Sequence, residues 1–558
     1  MKSDLVRYHK TQLNNREMKT KEIAIIGGGI SGLVTAFELS EVTTLNITIV
    51  EGSSTCGGKM KGYFNKEKQR FEEHSIRALA STYFALFDIF NRAGILHTLT
   101  AVDDYKFYES KTGKKVAVDR TEPIKLETFK ELVKTFDLSL TDMMSLAKKI
   151  LHHTNASDKE RKELAFKKAG DVIGVDDFDA HTKQFIVNWF GILTGARMES
   201  KAVDIMDSFL LMFLPMTESP NLPEGKHSKS YCFNRPTSEV VQLLVDTLKE
   251  RGVNFVYNTR LTNVKKDSIT NKVVLQTENN QLEKKEFDAC VMAVPHEVMW
   301  KVGLLPELKK PFDDEWSFGT QFLMDHIPEA FKDFIGKSYN LSFDAPWNIV
   351  FQIQHKGGFW KDVDFPKTHP YNLSATCSSP FNKGSLYGKR FMECTPSEAK
   401  HEILFQLGIT SEEERANFVE NGNIDSVYLT YTEDWEKYAN LETTSLGILQ
   451  ENGKRWVDLS QIYVRSATDK EVNVCTNKKG IFLAGEVVNV PGKWKIPTME
   501  QASMSGKQAA QEVFKYCDIN TSVNMDFATL ESTTVFKLME GVLAGLTGIA
   551  NLIPRNKN

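Results

Sequence analysis

Residues 23–51 read IAIIGGGISGLVTAFELSEVTTLNITIVE, and this stretch decides the expected fold. The apolar run 23–26 is typical of a strand that is buried on both faces of a parallel sheet. After a glycine-rich turn, apolar residues recur at helical spacing up to Leu39. A second strand, 47–50, ends at the acidic residue Glu51. This order of strand, turn, helix, strand and acid predicts the opening unit of a Rossmann-type α/β domain.

The turn has the spacing GxGxxG, formed by Gly27, Gly29 and Gly32. The first glycine permits the tight turn, the second lets the backbone approach a pyrophosphate, and the third allows the helix to pack closely on the strand. The start of the helix offers N–H groups and a partial positive charge to the phosphates. Glu51 can accept hydrogen bonds from a ribose diol and would repel a 2′-phosphate. The pattern therefore predicts a dinucleotide other than NADP.

Two further segments favour FAD over NAD. Gly57, Gly58 and Lys59 follow the second strand, where a glycine pair and a cation can wrap the far side of a diphosphate. Residues 480–486 (GIFLAGE) have the pattern of a strand with an acid at its carboxyl end. Residues 497–510 continue this pattern as a loop and a helix of small residues that enters close to a ligand.

Together with residues 289–295 (ACVMAVP), these segments resemble the flavin-containing amine oxidoreductase superfamily, in its phytoene and carotenoid desaturase-like branch. Residues 72–77 (EEHSIR) are similar to an EHG-type stretch of that branch, although Ser75 stands where glycine is common. The resemblance implies FAD in an extended pose. The residues that it places on the cofactor are Gly27, Gly29, Ser31, Gly32, Glu51, Gly58, Lys59, Val264, Gly485, Glu486 and Met499.

The resemblance also implies where these residues lie along FAD. Val264 would end a strand that follows residues 252–256, where the backbone meets the adenine. Glu486 replaces an acid that is usually Asp, at the junction of pyrophosphate and ribityl chain. Met499 and its neighbours would approach the isoalloxazine ring.

The family fold is interleaved, so each expected domain is built from separate segments. The resemblance implies an α/β, Rossmann-type FAD-binding domain of the glutathione-reductase-like kind and an α+β substrate domain. Residues 1–20 are expected to form a disordered lead, and residues 519–558 a C-terminal tail. The FAD-binding domain would contain residues 21–90, 230–300 and 465–518, and the substrate domain residues 91–229 and 301–464. Helical patterns in 124–218 and alternating apolar stretches in 316–354 agree with this division.

Two apolar segments allow more than one interpretation. Residues 205–214 can form the wall of a substrate tunnel or an ordinary buried helix. In the tail, the uncharged run 541–553 covers about 20 Å as a helix, which is short of the roughly 30 Å hydrocarbon core of a bilayer. This run is expected to lie in a membrane interface, cover a tunnel mouth or pack as a dimer helix.

Candidate catalytic residues follow the glycine pair. His74 can exchange protons near neutral pH, and Arg77 can fix a flavin or substrate oxygen. The structural alternative is a hydrogen-bonded His74 in a loop and an Arg77 paired with Glu72 or Glu73. Lys356 is the candidate for the lysine that amine oxidases of the family set against the flavin N5 atom through water.

Composition limits the classes of protein further. A net charge of −4 over 558 residues argues against a nucleic-acid-binding protein. Seven scattered cysteines without a CxxC pair predict no disulfide framework and no metal site, and they favour a cytoplasmic protein with possible peripheral membrane contact. The oligomeric state is not predictable from the sequence.

Three functions remain open at this point. The first is an FAD-dependent desaturase, dehydrogenase or isomerase that acts on a long hydrophobic molecule such as a polyene, an isoprenoid or a fatty acyl chain. The second is an amine or amino-acid oxidase that releases hydrogen peroxide. The third is a redox-silent protein that binds FAD for structure or assembly.

Overall fold

The computed structural model describes most of the chain, namely residues 20–73, 77–122, 125–194, 197–214, 216–282, 285–305, 317–361, 363–424, 429–431, 448–451, 454–458, 470–529 and 537. The expected lead up to residue 19, the candidates His74 and Ser75, and the apolar run of the tail lie outside these ranges. Within the described helices, none is both long and apolar enough to cross a bilayer.

The first layer is a five-stranded sheet in which every neighbouring pair is parallel. Its strands, in spatial order, are β10 (Asn254–Val256), β2 (Leu45–Val50), β1 (Lys21–Ile26), β14 (Ala289–Met292) and β23 (Ile481–Leu483). Ile23 and Ile25 in the central strand are fully buried, as expected where both faces of a parallel sheet are covered. The predicted Rossmann-type unit is confirmed.

Helices α1 (Ile30–Leu39) and α13 (Met499–Tyr516) pack against each other beside this sheet. The approach is so close that a Cβ atom on Gly506 would lie 2.5 Å from the Ser31 carbonyl oxygen. The small residues near the C-terminus therefore serve helix packing. The strands of the sheet come from three distant parts of the chain, in agreement with an interleaved fold, while the domain boundaries themselves stay a prediction.

The second layer is a seven-stranded mixed sheet. All its neighbouring pairs are antiparallel except the parallel pair of β16 and β7. In spatial order the strands are β19 (Gly422–Ile424), β15 (Phe318–Met324), β18 (Tyr371–Cys377), β17 (Ile349–His355), β16 (Ser338–Ser342), β7 (Asp104–Tyr108) and β8 (Lys115–Asp119). One face is apolar and shares a hydrophobic cluster with α11 (Pro396–Gln406) and α12 (Glu412–Val419).

Six helices lie within residues 124–218, which the sequence predicted to be largely helical. They are α3 (Leu126–Thr135), α4 (Leu140–Asn155), α5 (Asp158–Leu164), α6 (Ala169–Ile173), α7 (Ala180–Thr194) and α8 (Ala202–Phe213). In α8, Ile205 and Leu210 are fully buried, and Phe209 stacks on Phe190 at a centroid distance of 4.7 Å. The interpretation of residues 205–213 as an ordinary buried helix fits this packing.

The remaining elements connect these layers. The helices are α2 (Phe84–Arg92), α9 (Thr237–Glu250) and α10 (His296–Lys301). The short strands are β3 (Gly62–Asn65), β4 (Arg70–Glu73), β5 (Leu79–Ala80), β6 (Leu99–Ala101), β9 (Ser230–Phe233), β11 (Leu261–Lys266), β12 (Val273–Thr277), β13 (Glu286–Phe287), β20 (Leu429–Tyr431), β21 (Ile448–Glu451) and β22 (Lys454–Asp458).

The strand expected after residues 252–256 is present as β11, although it ends at Lys266 and not at Val264. The contact of Val264 with the adenine stays a prediction. Val264 lies in the middle of β11, a separate strand that pairs with β12 in a small antiparallel sheet. The chain leaves β10 through a turn in which Asn258 has a φ of 51° and donates its N–H to the Ser53 carbonyl oxygen. This turn connects β10 to β11.

Candidate functional site

The site begins at the carboxyl end of β1, where two glycines are required by the fold itself. Gly27 has a φ of 103°, and a Cβ atom on it would lie 2.3 Å from the Ala293 carbonyl oxygen. A Cβ atom on Gly32 would lie 2.0 Å from the Gly27 carbonyl oxygen. Any side chain at either position therefore collides with backbone, so these glycines permit the close passage of β1, α1 and the end of β14.

Gly29 has a different environment. Its φ is −74°, and a Cβ atom on it would meet only the Gly58 Cα, at 3.8 Å, which is ordinary contact. The Gly57 N–H donates to the Gly28 carbonyl oxygen at 2.8 Å, so the second glycine pair packs directly on the first turn. Gly29 and Gly58 thus form a surface of bare backbone beside the start of α1, which suits a diphosphate.

Glu51 is held at the edge of this surface. Its Oε2 atom accepts the Gly28 N–H at 2.7 Å, and its Oε1 atom accepts the N–H and hydroxyl of Ser53 at 2.8 and 2.5 Å. A carboxylate oxygen can accept two hydrogen bonds. Among the described residues Oε2 accepts one, which leaves capacity for the predicted ribose hydroxyl.

The end of β23 meets the same surface from the other side. Gly485 has a φ of 114°, and a Cβ atom there would lie 3.8 Å from the Ser31 Oγ atom. The Gly485 N–H donates to Ser505 Oγ at 2.9 Å, and Gln501 Nε2 donates to the Gly485 carbonyl oxygen at 3.0 Å. The fold therefore brings the predicted residues Ser31 and Gly485 together, and α13 holds the loop in place.

A charged cluster closes this side of the site. Lys59 Nζ lies 2.6 and 2.7 Å from the two carboxylate oxygens of Glu486, and His296 Nδ1 lies 3.4 Å from Oε1. Burial alone would raise the pKa of Glu486, but the Lys59 charge and the His296 contact outweigh it and lower this pKa to about 2. Glu486 is therefore ionised at neutral pH and paired with Lys59. The sequence predicted that both residues contact the cofactor.

Arg77 lies next to this cluster, because its Nη2 atom donates to the Lys59 carbonyl oxygen at 2.5 Å. The two acids proposed as its structural partners have other contacts. Glu72 pairs with Arg70 at 3.1 Å, and Glu73 accepts the N–H of Thr237 at 2.9 Å and the hydroxyl of the same residue. The placement of Arg77 agrees with a role at the edge of the cofactor site. The other candidate catalytic residue, His74, is outside the described residues.

Two other predicted positions have different outcomes. Met499 is the first residue of α13, half-buried against the main hydrophobic core, and its approach to the flavin ring stays a prediction. Lys356 lies on an exposed turn, with 74% of its side chain accessible, and pairs with Asp364 at 3.0 Å. Its suggested role beside the flavin N5 atom is wrong, because the turn carries it into solvent.

Sequence reasoning missed His296, Gln501 and Ser505. A usable signal existed for His296, which lies four residues after the last residue of β14, because ligands of open α/β sheets bind at the carboxyl ends of strands. Gln501 and Ser505 face the site because they lie four residues apart on α13, one turn of helix. Their role in holding the Gly485 loop depends on tertiary packing that no local pattern reveals.

The seven-stranded sheet faces this region through the side opposite to its hydrophobic cluster, here called the inner face. It carries Gln321 of β15, Ser374 of β18, Gln352 of β17 and Leu341 of β16, together with every second residue in each strand. Gln321 Oε1 accepts the Glu73 N–H at 3.0 Å. On the next strand, the Tyr339 hydroxyl donates to the Arg77 carbonyl oxygen at 2.5 Å.

Comparisons with known proteins agree with this geometry. The sequence pattern of the family described as flavin containing amine oxidoreductase matches residues 30–318, a little over half of the chain. A search of curated protein sequences finds no match.

Solved structures share the fold at low sequence identity. Cyclohexylamine oxidase from Brevibacterium oxydans IH-35A superposes with a TM-score of 0.54 at 12% identity, covering 89% of this chain and 100% of that protein. Wild-type putrescine oxidase bound to putrescine gives a TM-score of 0.55 at 13% identity, with 89% and 99% covered. An oxidoreductase from Methanosarcina mazei gives 0.51 at 12% identity, with 88% and 100% covered.

The backbone cradle at Gly29 and Gly58 fits the diphosphate of a dinucleotide, and the family match supplies the identity of that dinucleotide as FAD. The chain belongs to the flavin-containing amine oxidoreductase family and is an FAD-dependent oxidoreductase.

Proposed function

We propose that this protein dehydrogenates an uncharged, largely hydrophobic substrate, such as a polyene, an isoprenoid or a fatty acyl chain. The observation that carries the proposal is the character of the inner face, which contacts the chain on both sides of residues 74–76 through Gln321 and Tyr339. Along the seven strands, the residues that point to this face are amides, hydroxyls, aromatic and aliphatic side chains and a glycine, and none carries a charge.

Bound FAD supplies the two-electron chemistry, and the protein contributes binding, orientation and exclusion of water. The bare backbone of Gly29 and Gly58 and the start of α1 would hold the diphosphate. Lys59 and Glu486 form a fixed ion pair at the other end of the cradle. The inner face would form a neutral wall on the substrate side, which excludes water without offering a charge to the ligand.

The main alternative is the oxidation of an amine or amino acid, as the names cyclohexylamine oxidase and putrescine oxidase state for two proteins of similar fold. An alkylammonium ion is recognised by carboxylates or an aromatic cage, and a carboxylate substrate by a cation such as arginine. In the described part of the chain, the strands of the inner face carry no carboxylate and no cation that could serve as such an anchor. This neutrality favours the hydrophobic substrate.

The test is anaerobic reduction of the bound flavin by a panel of polyenes and isoprenoids in detergent and of alkylamines and amino acids in buffer. We expect the visible flavin absorption to bleach with a member of the first group and to stay unchanged with the second. Bleaching by amines alone would instead establish an amine oxidase. Flavin that no compound reduces would support the redox-silent alternative.

A further inference from the structure

An exposed aromatic side chain and several lysines lie together on α5 and the turn that follows it. Phe166, in this turn, is 74% exposed, and among the large hydrophobic residues of the described chain only Ile269, at 91%, is more exposed. Four exposed lysines accompany Phe166 in the same stretch of chain, namely Lys159, Lys162, Lys167 and Lys168. These four lysines and Phe166 are here called the basic patch.

The helical path places part of the basic patch on one side of α5. The N–H groups of residues 165–167 donate to carbonyl oxygens three or four residues earlier, at 3.0 to 3.3 Å, so the turn continues the coil of the helix. Residues that are three and four positions apart lie on the same side of such a coil. Lys159, Lys162 and Phe166 follow this spacing, and therefore form a row that ends in the aromatic ring.

The opposite side of the same segment is fixed to the protein. Arg161 Nη2 donates to a carboxylate oxygen of Asp207 in α8, and the side chain of Asp207 is 2% exposed. The Lys167 carbonyl oxygen accepts the Ala202 N–H, at the start of α8, at 2.9 Å. The backbone that carries Phe166 is thus held on α8, and its ring points to solvent.

The lysines of the basic patch have unused charge. In contrast to Arg161, none of the four forms a salt bridge with a side chain that the structure describes. Of the two acids within residues 159–168, Glu160 is engaged in the capping box of α5, where it accepts the Ser157 N–H at 2.7 Å. Glu163 is the other acid, so the positive charges outnumber the negative ones on this surface.

We propose that the basic patch docks the protein on the surface of a membrane that contains anionic lipid. Lysines without partners are attracted to the negative potential of such a surface, and an exposed aromatic ring gains by entering the region between headgroups and acyl chains. A nucleic acid would also attract the lysines, but the net charge of −4 for the whole chain argues against a polyanion as the partner.

Docking through the basic patch would bring α5 and the start of α8 against the bilayer. The inference goes beyond the proposed function, because the surface would bind anionic lipid whatever compound the flavin oxidises. It also differs from membrane contact through the tail, since the run 541–553 is uncharged and has no reason to prefer anionic lipid.

The experiment compares co-sedimentation of the full-length holoenzyme with vesicles of phosphatidylcholine alone and with vesicles that also contain phosphatidylserine. We expect tighter binding to the second kind, and a decrease in this binding as salt is added. Lys162→Gln should weaken it about fivefold, as expected for one lysine at an anionic surface. Phe166→Ser should weaken it about tenfold, because the ring no longer leaves water.

A variant that strengthens binding separates the proposal from any loss of folding. Glu163→Gln removes the acid beside the lysines, so it should tighten binding to the vesicles with phosphatidylserine about fivefold. A misfolded protein would not produce this selective gain. Flavin content and melting temperature report whether each variant is folded.

Ile269→Ser is the matched control. Ile269 is more exposed than Phe166 but lies in the turn between β11 and β12, where Lys272 pairs with Asp288 at 2.5 Å. An exposed apolar side chain without unpaired lysines around it is not sufficient for docking, so this variant should bind vesicles as the wild-type protein does.

Four results would overturn the inference. They are equal binding of the wild-type protein to both kinds of vesicle, unchanged binding in Phe166→Ser and Lys162→Gln, the same loss in Ile269→Ser as in Phe166→Ser, and binding of a single-stranded oligonucleotide in place of vesicles. The last would assign the basic patch to nucleic acid. Since none of these measurements involves a flavin substrate, each would leave the proposed function intact.

Discussion

Within a single motif, Gly29 and Gly32 serve different purposes. A side chain on Gly32 would collide with the Gly27 carbonyl oxygen at 2.0 Å, whereas a side chain on Gly29 would make only ordinary contact with Gly58. Gly29 therefore leaves room for a ligand to approach the backbone, whereas Gly32 is required for the chain to adopt its fold. The GxGxxG spacing predicted both positions and both roles, and the geometry agrees with that division.

Glu486 provides a pH-dependent prediction at the level of one residue. Its folded pKa of about 2 lies below the ordinary value of 4.5, so the ionised form stabilises the fold above pH 4.5 and this contribution is lost as the pH falls toward 2. A difference of this size corresponds to about 3 kcal/mol.

We therefore expect Glu486→Gln to lower the free energy of unfolding most at neutral pH, and the deficit against wild type to shrink as the pH is lowered from 5 to 3. Urea unfolding at several pH values measures this difference in the free energy of unfolding. The exposed residue Glu250 supplies the control, because Glu250→Gln should show a small difference that does not vary. A Glu486→Gln deficit that is constant with pH would contradict the assigned ion pair.

At the level of elements, the local patterns were sufficient for β1, α1 and β2, because each forms from residues adjacent in sequence. They placed a strand after residues 252–256 but not its end, because β11 continues past Val264 to Lys266 in its pairing with β12. The inner face was beyond prediction for a different reason. Its register depends on pairs such as Tyr105 with Tyr339, which are far apart in the chain, and a slip of one residue would exchange the two faces.

Lys507 connects three helices and gives a prediction at this level. Its side chain is 1% exposed, and Nζ lies 2.7 Å from Glu38 of α1 and 2.6 Å from Asp88 of α2. Lys507→Met should lower the free energy of unfolding by about 1–3 kcal/mol, because it removes the fully buried cation of the network and leaves Glu38 and Asp88 to the partly exposed Arg92.

Lys515 on the same helix is the matched control. It pairs with Glu512 at 2.6 Å but its side chain is 63% exposed, so Lys515→Met should cost no more than about 1 kcal/mol. Chemical denaturation of both variants measures the two values. Equal losses would show that the buried network does not join the helices.

At the scale of the whole molecule, the chain passes several times between the parallel sheet and the seven-stranded sheet. The site depends on this path, since Lys59, His296 and Glu486 meet although they are far apart in sequence. The family resemblance implied the interleaving, and the cofactor segments could be found from their motifs. The inner face could not, because its residues form no motif and come together only when the strands are paired.

The C-terminal tail gives a prediction for the complete chain. If the apolar run 541–553 lies in a membrane interface, deletion of residues 535–558 should abolish co-sedimentation with uncharged lipid vesicles that the full chain shows. Flavin content should be unchanged in the truncated protein. Equal co-sedimentation of both proteins would assign any lipid binding to another surface.

The central claim is that FAD lies with its diphosphate on the bare backbone of Gly29 and Gly58. The most direct measurement is the ratio of bound FAD to protein, from flavin absorbance, in wild type and in Gly29→Val, with circular dichroism as the control for folding. The account predicts a yellow wild-type protein and a folded but colourless Gly29→Val protein, since a Cβ atom at this position meets no protein atom closer than 3.8 Å and the side chain fills the diphosphate position. A folded Gly29→Val protein that keeps its full complement of FAD would contradict it.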